Sequence, residues 1–362
     1  MKVLKIFTIA ALLLILQSCI KNEAPNAEAD ILTCEVDGNI LIRKPMIQNT
    51  EIKLYVNAWD DVTNLAPRFT LTQGATISPT SGTTRDFSTP QTYVVTSEDG
   101  KWQKTYKVSF LSNNNIIAQY SFENARTSKG YYVFYDSSVS GQEMDWSSGN
   151  AGFKLTNLWG TIPLADYPTT QSDEGYKGKC VKLTTRSTGS LGAAFGKPIA
   201  AGNLFTGEFD TGPSFSNPLK TTRFGTAFNK KPLAISGYYK YKAGNKFTDK
   251  DNKEVANQKD NFDIYAVFYE TSDTVQYLDG SNIKTHPNIV MIAQIDNRKE
   301  TDEWTPFTIT FKAKDGKNID PEKLKNNKYN LAIVMSSSEG GAEFLGAVGS
   351  TLYIDEMQLY YE

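Results

Sequence analysis

The sequence predicts an all-β protein built from two sandwich domains. Nineteen Tyr, nineteen Phe and five Trp occur among 362 residues, in text rich in Gly, Thr, Ser and Asn. These residue types suit pleated strands and tight turns better than helices. Short alternating runs recur along the chain, and only "DPEKLKNN" at 320–327 offers a weak helical turn. Because a chain of this length usually exceeds one core, we expect an immunoglobulin-like sandwich followed by a larger jelly roll.

Residues 1–19 have the pattern of a lipoprotein signal peptide. Lys2 and Lys5 precede an apolar run over 6–16, and Cys19 follows it. The run is too short to span a bilayer and matches the hydrophobic region of a secretory signal. The text "LQSC" resembles a bacterial lipobox, which implies that Cys19 is lipidated and becomes the new N-terminus. Two or three acyl chains on one Cys give a durable membrane anchor.

A polar linker at 20–29 follows the expected anchor. The stretch "IKNEAPNAEAD" would reach at most about 36 Å when fully extended. Its "KNE" at 21–23 resembles the signal that sends Bacteroidetes lipoproteins to the outer leaflet. We therefore predict a protein that is lipid-anchored to the outer membrane and displayed at the cell surface.

Charge and residue counts exclude several classes of function. The formal net charge is −2 and Lys residues are scattered, so we expect no nucleic-acid partner. His286 is the only His in the sequence, which excludes multi-His zinc sites and argues against a Ser-His-Asp triad. The sequence has no Walker loop or dinucleotide fingerprint, so no nucleotide cofactor is expected. Cys34 and Cys180 are interpreted as buried thiols, with a disulfide between the domains as the alternative.

Residues 30–112 predict the first domain. Short strands are separated by turn residues, and Glu98-Asp99-Gly100 lies between two alternating runs, which is a strong hairpin signal. The text "ATISPTSG" followed by "YVVTSEDGKWQKTYKV" resembles the N-terminal sandwich modules of Bacteroidetes surface lipoproteins. This resemblance implies a spacer domain.

Residues 116–362 predict the second domain, after the polar break "SNNNI" at 112–116. At least eight strand-like runs favour a jelly roll. One of them, "DIYAVFYE" at 263–270, is apolar on both faces and is expected to be buried on both sides or to form a floor. The texts "GYKGKCVKLTT", "PLAISGYYKYKAG" and "YNLAIVMSSSEGGAEFLGAVGSTLYIDEMQL" resemble the PCMD family of Bacteroidetes lipoproteins. The resemblance implies a jelly roll associated with glycan handling, without an established catalytic mechanism.

The closing strand raises the question of a metal. Strict alternation would place Tyr353, Asp355, Met357 and Leu359 on one face. An unpaired buried carboxylate is costly, and antiparallel closure could bring Glu123 of "YSFENA" beside Asp355. A structural Ca²⁺ bound by both carboxylates would remove this cost. Hydrogen bonds from loop N–H groups, or a salt bridge with an Arg, are the alternatives.

Sugar recognition requires aromatic faces and a few polar groups. The Gly- and Ser-rich text over 145–176 offers both, and alternation over 235–241 places Tyr238 and Lys240 on an outer sheet face. We expect stacking from Trp146, Trp159 and Tyr238, and polar pairing from Asn150 and Asp166, with Tyr167 nearby.

These patterns favour a non-catalytic, lipid-anchored protein whose jelly roll binds glycan. A glycoside hydrolase is the first alternative, which would need two carboxyl groups about 5–9.5 Å apart. Candidates such as Asp145, Glu208, Asp210 and Glu270 cannot be paired from the sequence. A structural or adhesive surface protein is the second alternative.

Overall fold

The computed structural model describes residues 25–38, 40–41, 44–48, 50–56, 60–112, 116–138, 141–157 and 160–362. Cys19 and Trp159 lie outside these residues. The described chain is nearly all-β in class and divides into two compact units, formed mainly by residues 62–109 and 110–362. Within the described residues, every helix is too short or too polar to cross a membrane.

The N-terminal sandwich confirms the predicted immunoglobulin-like class. Its strands are β1 (Ile31–Glu35), β2 (Met46–Gln48), β3 (Glu51–Val56), β4 (Arg68–Leu71), β5 (Thr76–Ser78), β6 (Gln91–Thr96) and β7 (Gln103–Ser112). Strand β1 pairs with β4, and the other strands form a sheet in the order β2-β3-β7-β6-β5. Phe69 of β4 contacts Tyr93 of β6 edge-to-face, at 4.8 Å between ring centroids. The predicted hairpin joins β6 to β7, with Gly100 at a φ of +69° in its turn.

The C-terminal unit contains many short strands and three short α-helices among its described residues. The strands are β8 (Gln119–Tyr120), β9 (Ala125–Ser128), β10 (Tyr131–Ser137), β11 (Glu143–Asp145), β12 (Thr169–Ser172), β13 (Cys180–Thr184), β14 (Arg186–Ser187), β15 (Ile199–Ala200), β16 (Asn203–Phe205), β17 (Gly207–Phe209), β18 (Thr222–Phe224), β19 (Thr226–Ala227), β20 (Pro232–Lys242), β21 (Phe247–Thr248), β22 (Asp263–Glu270), β23 (Ile289–Gln294), β24 (Thr301–Thr310), β25 (Lys312–Ala313), β26 (Tyr329–Ser336), β27 (Gly346–Ala347) and β28 (Thr351–Tyr361). The helices are α1 (Asn150–Lys154), α2 (Gly189–Ala194) and α3 (Pro321–Lys325). The weak helical turn predicted from the sequence is α3, which Asp320 caps.

Two six-stranded sheets form the predicted jelly-roll sandwich. The first sheet has the order β12-β13-β28-β20-β24, with β8 also paired to β28. The second sheet has the order β16-β26-β22-β23-β25, with β19 also paired to β26. Ile235 and Tyr239 of the first sheet meet Ile264 and Phe268 of the second sheet in the main hydrophobic core. This core fixes the two sheets face to face.

Strand β22 is buried on both faces, as its sequence predicts. Ile264 and Phe268 point into the main core. Tyr265, Val267 and Tyr269 belong to a second hydrophobic cluster on the far face of the same sheet. Loops cover that far face, so the second sheet forms the floor on which they pack.

The closing strand β28 lies beside the opening strand β8, where Met357 pairs with Tyr120. This pairing is the closure that the sequence predicts. The predicted common face of β28 is wrong, however. A register shift between β28 and β20 coincides with Glu356, whose φ is +47°. One extra residue reverses the alternation, so that Met357 and Leu359 face the main core whereas Asp355 pairs with outward-facing Tyr238.

Cys34 and Cys180, the cysteines among the described residues, are buried and free. Burial raises the pKa of each thiol to about 12. The interpretation as structural thiols agrees with these observations, and the alternative of a disulfide between Cys34 and Cys180 is wrong.

Candidate functional site

A cleft of about 420 Å³ opens on the far face of the second sheet. Its floor contains Phe205 of β16, Tyr265 of β22 and Val334 of β26. Alternation along these strands directs the three side chains away from the main core. The walls come from residues around 188–201, 214–222, 280–285 and 338–344. We call this hollow the cleft.

Two exposed aromatic rings form the rim of the cleft. Phe195 follows α2 and is 53% exposed, and Phe215 follows the 3₁₀ turn Gly212–Ser214 and is 49% exposed. Their ring centroids are 5.4 Å apart. The Lys197 ammonium donates hydrogen bonds to the carbonyl oxygens of Phe195 and Phe215, each at 3.3 Å. Lys197 thereby ties the two loops together and holds the pair of rings in place.

The floor of the cleft holds an ion pair in which the carboxylate is buried and the lysine is part-exposed. Asp263 begins β22, and the ammonium of Lys284 lies 2.5 Å from its carboxylate. Gln294 donates a hydrogen bond of 3.2 Å to the same carboxylate. The Lys284 ammonium also lies 4.5 Å from the centre of the Tyr265 ring. These partners compensate the cost of burying the Asp263 charge.

Two hydroxyl groups in the cleft wall have no partner among the described residues. The Ser214 and Thr222 side-chain oxygens are buried and make no hydrogen bond to the described chain. An unsatisfied buried hydroxyl costs about 1–3 kcal/mol. Because both oxygens are enclosed in the wall, they are not accessible to a ligand in the cleft.

A second cluster of aromatic side chains lies on the outer surface of the first sheet. It consists of Tyr176, Tyr238, Trp304 and Tyr353, and we call it the aromatic face. Tyr176 and Tyr238 stack in parallel, with 3.7 Å between ring centroids. The Lys240 ammonium lies 4.9 Å from the Trp304 ring and 4.7 Å from the Tyr353 ring. The outward positions of Tyr238 and Lys240 agree with the alternation predicted for β20.

Trp146 belongs to the main core and not to a surface. The side chain is 2% exposed and packs edge-to-face on Tyr120 and against Phe122. Its indole N–H donates a 2.7 Å hydrogen bond to the Asp136 carboxylate. Burial raises the pKa of Asp136, and this hydrogen bond opposes the rise. The expectation that Trp146 is an exposed stacking residue is therefore corrected.

The other candidates over 150–167 do not gather around a ligand. Asn150 begins α1 and is fully buried, and its amide bonds the backbone N–H and C=O of Thr169 at 3.0 and 2.8 Å. Tyr167 is buried against Tyr131 and Phe153. These contacts correct the predicted roles of Asn150 and Tyr167, because both side chains are already enclosed. Asp166 is exposed at the end of the 3₁₀ turn Leu164–Asp166 and does not line the cleft.

Glu123 and Asp355 hold the same surface loop, at 174–179. The Asp355 carboxylate accepts hydrogen bonds from the N–H groups of Lys177, at 3.0 Å, and Glu356, at 2.8 Å. Glu123 accepts a 3.0 Å hydrogen bond from the N–H group of Lys179. Burial raises the pKa of Asp355 to about 6, although these N–H groups oppose the rise. Backbone donors, which were one of the predicted alternatives, therefore meet the buried carboxylate.

Glu123 and Asp355 alone supply too few oxygen ligands for calcium. Ca²⁺ takes about 6–8 oxygen ligands. The described residues contain no group of three or more His, Cys, Asp or Glu that could hold a metal ion. The oxygens of Glu123 and Asp355 already accept backbone N–H groups, so this pair fits a loop anchor better than a cation site. Calcium binding here stays a prediction, which melting with and without a chelator would test.

Sequence reasoning missed the rim of the cleft. Phe195 lies in "GSLGAAFGK" and Phe215 in "TGPSFSN", which are Gly- and Ser-rich texts. Trp146 was predicted to be a stacking residue because it lies in Gly- and Ser-rich text, and the same reasoning applies to both Phe residues. The ion pair between Asp263 and Lys284 had no comparable signal, because its partners are 21 residues apart.

The fold and the cleft define a protein with an immunoglobulin-like sandwich followed by a jelly roll. Residues 121–360 match the family described as "Putative carbohydrate metabolism domain", or PCMD, and residues 31–109 match "SGBP, N-terminal". The chain belongs to the PCMD family.

Two solved structures are similar over long stretches, and both are named "putative glycoside hydrolase". The protein from Bacteroides thetaiotaomicron VPI-5482 is 50% identical, with a TM-score of 0.86 over 94% of this chain and 99% of that chain. The protein from Bacteroides vulgatus ATCC 8482 is 46% identical, with a TM-score of 0.65 over 68% of this chain and 99% of that chain. No curated protein matches this chain.

Proposed function

We propose that this protein binds glycan in the cleft of its jelly roll, as a lipid-anchored component of carbohydrate acquisition. The observation that carries the proposal is the exposed ring pair of Phe195 and Phe215, above a floor that combines apolar side chains with the Asp263–Lys284 ion pair. Membership of the PCMD family supports a carbohydrate ligand.

The chemistry of the cleft suits a saccharide. The C–H faces of a sugar ring pack on aromatic rings, and its hydroxyl groups need donors and acceptors. Phe195 and Phe215 supply the rings, and the part-exposed Lys284 ammonium in the floor supplies N–H donors. The volume of about 420 Å³ falls within the usual range for small-ligand sites, roughly 300–1,000 Å³.

The test is retardation of the full chain in native gels that contain pectic galactan, arabinan, xylan or gastric mucin. The combined variant Phe195→Ala/Phe215→Ala is expected to bind at least about tenfold more weakly, because stacking aromatics dominate such contacts. Tyr360→Ala is the matched control, since Tyr360 is 47% exposed and does not line the cleft. Equal retardation of the Phe variant and the wild type would contradict the cleft as the binding site.

Glycoside hydrolysis is the second candidate function. Its support is the name of the two similar structures, together with the Asp263 carboxylate in the cleft floor. Acid catalysis requires a carboxyl group whose pKa is raised toward the working pH. Among the described residues, burial raises the pKa of Asp136, Asp260 and Asp355, and none of these lines the cleft. These three carboxyl groups therefore do not supply an acid in the cleft, and the exposed ring pair makes binding the first proposal.

Measurement of released reducing sugar separates the two functions. We expect none from the four polysaccharides with the wild-type protein. Release that Asp263→Asn abolishes, with binding retained, would replace the binding proposal by a hydrolase that uses this carboxylate.

The proposed anchor is Cys19, and the N-terminal sandwich is proposed to act as a spacer. The match of residues 31–109 to "SGBP, N-terminal" supports the second statement. In cells, the wild-type protein should fractionate with the outer membrane and be cleaved by external protease, and Cys19→Ala should leave the membrane fraction. Equal fractionation of both proteins would contradict lipidation at Cys19.

A further inference from the structure

We propose that the aromatic face of the first sheet is a second saccharide-binding site. In this site Tyr176 stacks on a sugar ring, and the ammonium groups of Lys240 and Lys182 donate hydrogen bonds to its hydroxyl groups. The inference rests on glycan binding as the function of the protein, and adds a site on the other sheet.

The Tyr176 ring is held in place before any ligand binds. One face stacks on Tyr238 and the ring meets Trp304 at 6.4 Å between centroids, yet the side chain is 49% exposed, so part of the ring remains open. The loop that carries the ring is fixed by the N–H groups of Lys177 and Lys179, which bond Asp355 and Glu123. A rigid ring loses little conformational freedom on binding, which favours affinity.

Gly178 shows how closely this loop is fitted to its anchor. Its φ is +68°, and a Cβ atom at this position would lie 2.0 Å from a Glu123 carboxylate oxygen. Only a glycine allows the chain to pass over that carboxylate and present Tyr176 on the sheet. The loop is therefore built against the sheet and does not merely rest on it.

Polar groups accompany the other rings of the aromatic face. The Lys240 ammonium lies between the Trp304 and Tyr353 rings, and the Lys182 ammonium lies 5.4 Å from the Tyr353 ring. An ammonium over a ring keeps N–H donors free for other acceptors. Glu174 lies 3.9 Å from Lys240 and contributes acceptor oxygens.

The charges of this face favour a neutral saccharide. Lys240 faces Glu174 at 3.9 Å, and Lys177 faces Glu356 at 4.0 Å. These pairs leave little net positive potential for a polyanion. Aromatic rings with flanking donors and acceptors, at near-zero local charge, match a sugar ring with its hydroxyl groups.

The aromatic face and the cleft lie on opposite sides of the jelly roll. The face belongs to the outer surface of the first sheet, and the cleft to the far face of the second sheet, with the main core between them. A short oligosaccharide cannot reach both sites. Two sites on a multivalent polymer raise its apparent affinity above that of either site alone.

The experiment compares Tyr176→Ala, the cleft variant Phe195→Ala/Phe215→Ala and their combination, in the full chain and in the same four polysaccharide gels. We expect Tyr176→Ala and the cleft variant each to bind about tenfold more weakly to the polymer that retards the wild type. The combined variant should not be retarded. Lys182→Met, which leaves the ring stack intact, should weaken binding by about threefold. Unchanged melting curves show that the variants are folded.

The outcomes separate the two proposals. Wild-type retardation of both Tyr176→Ala and Lys182→Met, with loss in the cleft variant alone, overturns the second site and leaves the cleft standing. Loss in Tyr176→Ala with wild-type retardation of the cleft variant supports the aromatic face and removes the cleft. Absence of retardation of the wild type in all four polymers counts against both sites.

Discussion

The cleft and the aromatic face hold their aromatic side chains by different means. On the aromatic face, Tyr238 and Tyr353 are fixed by the alternation of β20 and β28. At the cleft, Phe195 and Phe215 lie in two loops that are joined through Lys197. Strand-borne rings follow from local sequence, whereas loop-borne rings depend on contacts between distant segments. An exposed aromatic residue can therefore serve as a binding surface only when neighbouring contacts fix its position.

The largest effect is expected for Trp146, which lies in the main core and belongs to neither the cleft nor the aromatic face. Trp146→Ala should lower the free energy of unfolding by about 3–5 kcal/mol, because it empties a core position and leaves the Asp136 carboxylate without its donor. Trp102→Ala is the matched control, because Trp102 is exposed in the N-terminal hairpin. It should change the free energy of unfolding by no more than about 0.5 kcal/mol. Urea unfolding measures both. Similar small effects would show that Trp146 is not part of the core.

The ion pair in the cleft floor should have an effect of intermediate size. Lys284→Met leaves the Asp263 carboxylate buried with Gln294 as its remaining donor, and should cost about 1–3 kcal/mol because Lys284 is part-exposed. The double variant Asp263→Asn/Lys284→Met should lose less, since no unpaired charge remains. If Lys284→Met unfolds at the wild-type urea concentration, the floor does not depend on this pair.

The anchor under the aromatic face predicts a pH dependence. Burial raises the pKa of Asp355 from 3.8 to about 6 in the folded protein. Because the folded pKa is the higher one, the stabilising contribution of this group is complete below about pH 3.8 and is lost as the pH rises to about 6, by about 2–3 kcal/mol. Asp355→Asn should remove this contribution to the pH dependence of the free energy of unfolding between pH 4 and 6. Unfolding curves across that range measure it, and equal slopes for both proteins would contradict the burial of an ionisable carboxyl.

The smallest effect is expected for Gly178, in the loop at 174–179 that carries Tyr176. Gly178→Ala should cost about 1–2 kcal/mol and weaken binding at the aromatic face, because its Cβ meets Glu123 and φ is positive. Gly189→Ala has the same φ of +68° with open space around it, and isolates the backbone cost. Equal melting temperatures of the two variants would show that the Glu123 contact adds nothing.

Much of the fold was predictable because strand alternation is local. The hairpin at Glu98-Asp99-Gly100, the outward Tyr238 and the doubly buried strand β22 all follow from residue spacing within one strand or turn. The error on β28 has an equally local cause. A bulge at Glu356 reverses the alternation, and the residue itself carries no turn signal.

The candidate site was less predictable. Trp146 and Asn150 lie in Gly- and Ser-rich text, yet Asp136 and Thr169 provide partners that bury them. Loop residues of the same composition, Phe195 and Phe215, stay exposed because the described chain provides no such enclosure for them. Composition therefore identified the right type of segment without separating core residues from surface residues.

The all-β class and the faces of the regular strands follow from the amino-acid sequence alone. These features depend on side chains a few residues apart, since the pleat repeats every two residues. The folded chain was needed to show which loops enclose their aromatic residues, how the buried Asp355 obtains its donors, and where the cleft lies. Each of these depends on partners far apart in the chain, which local spacing does not encode.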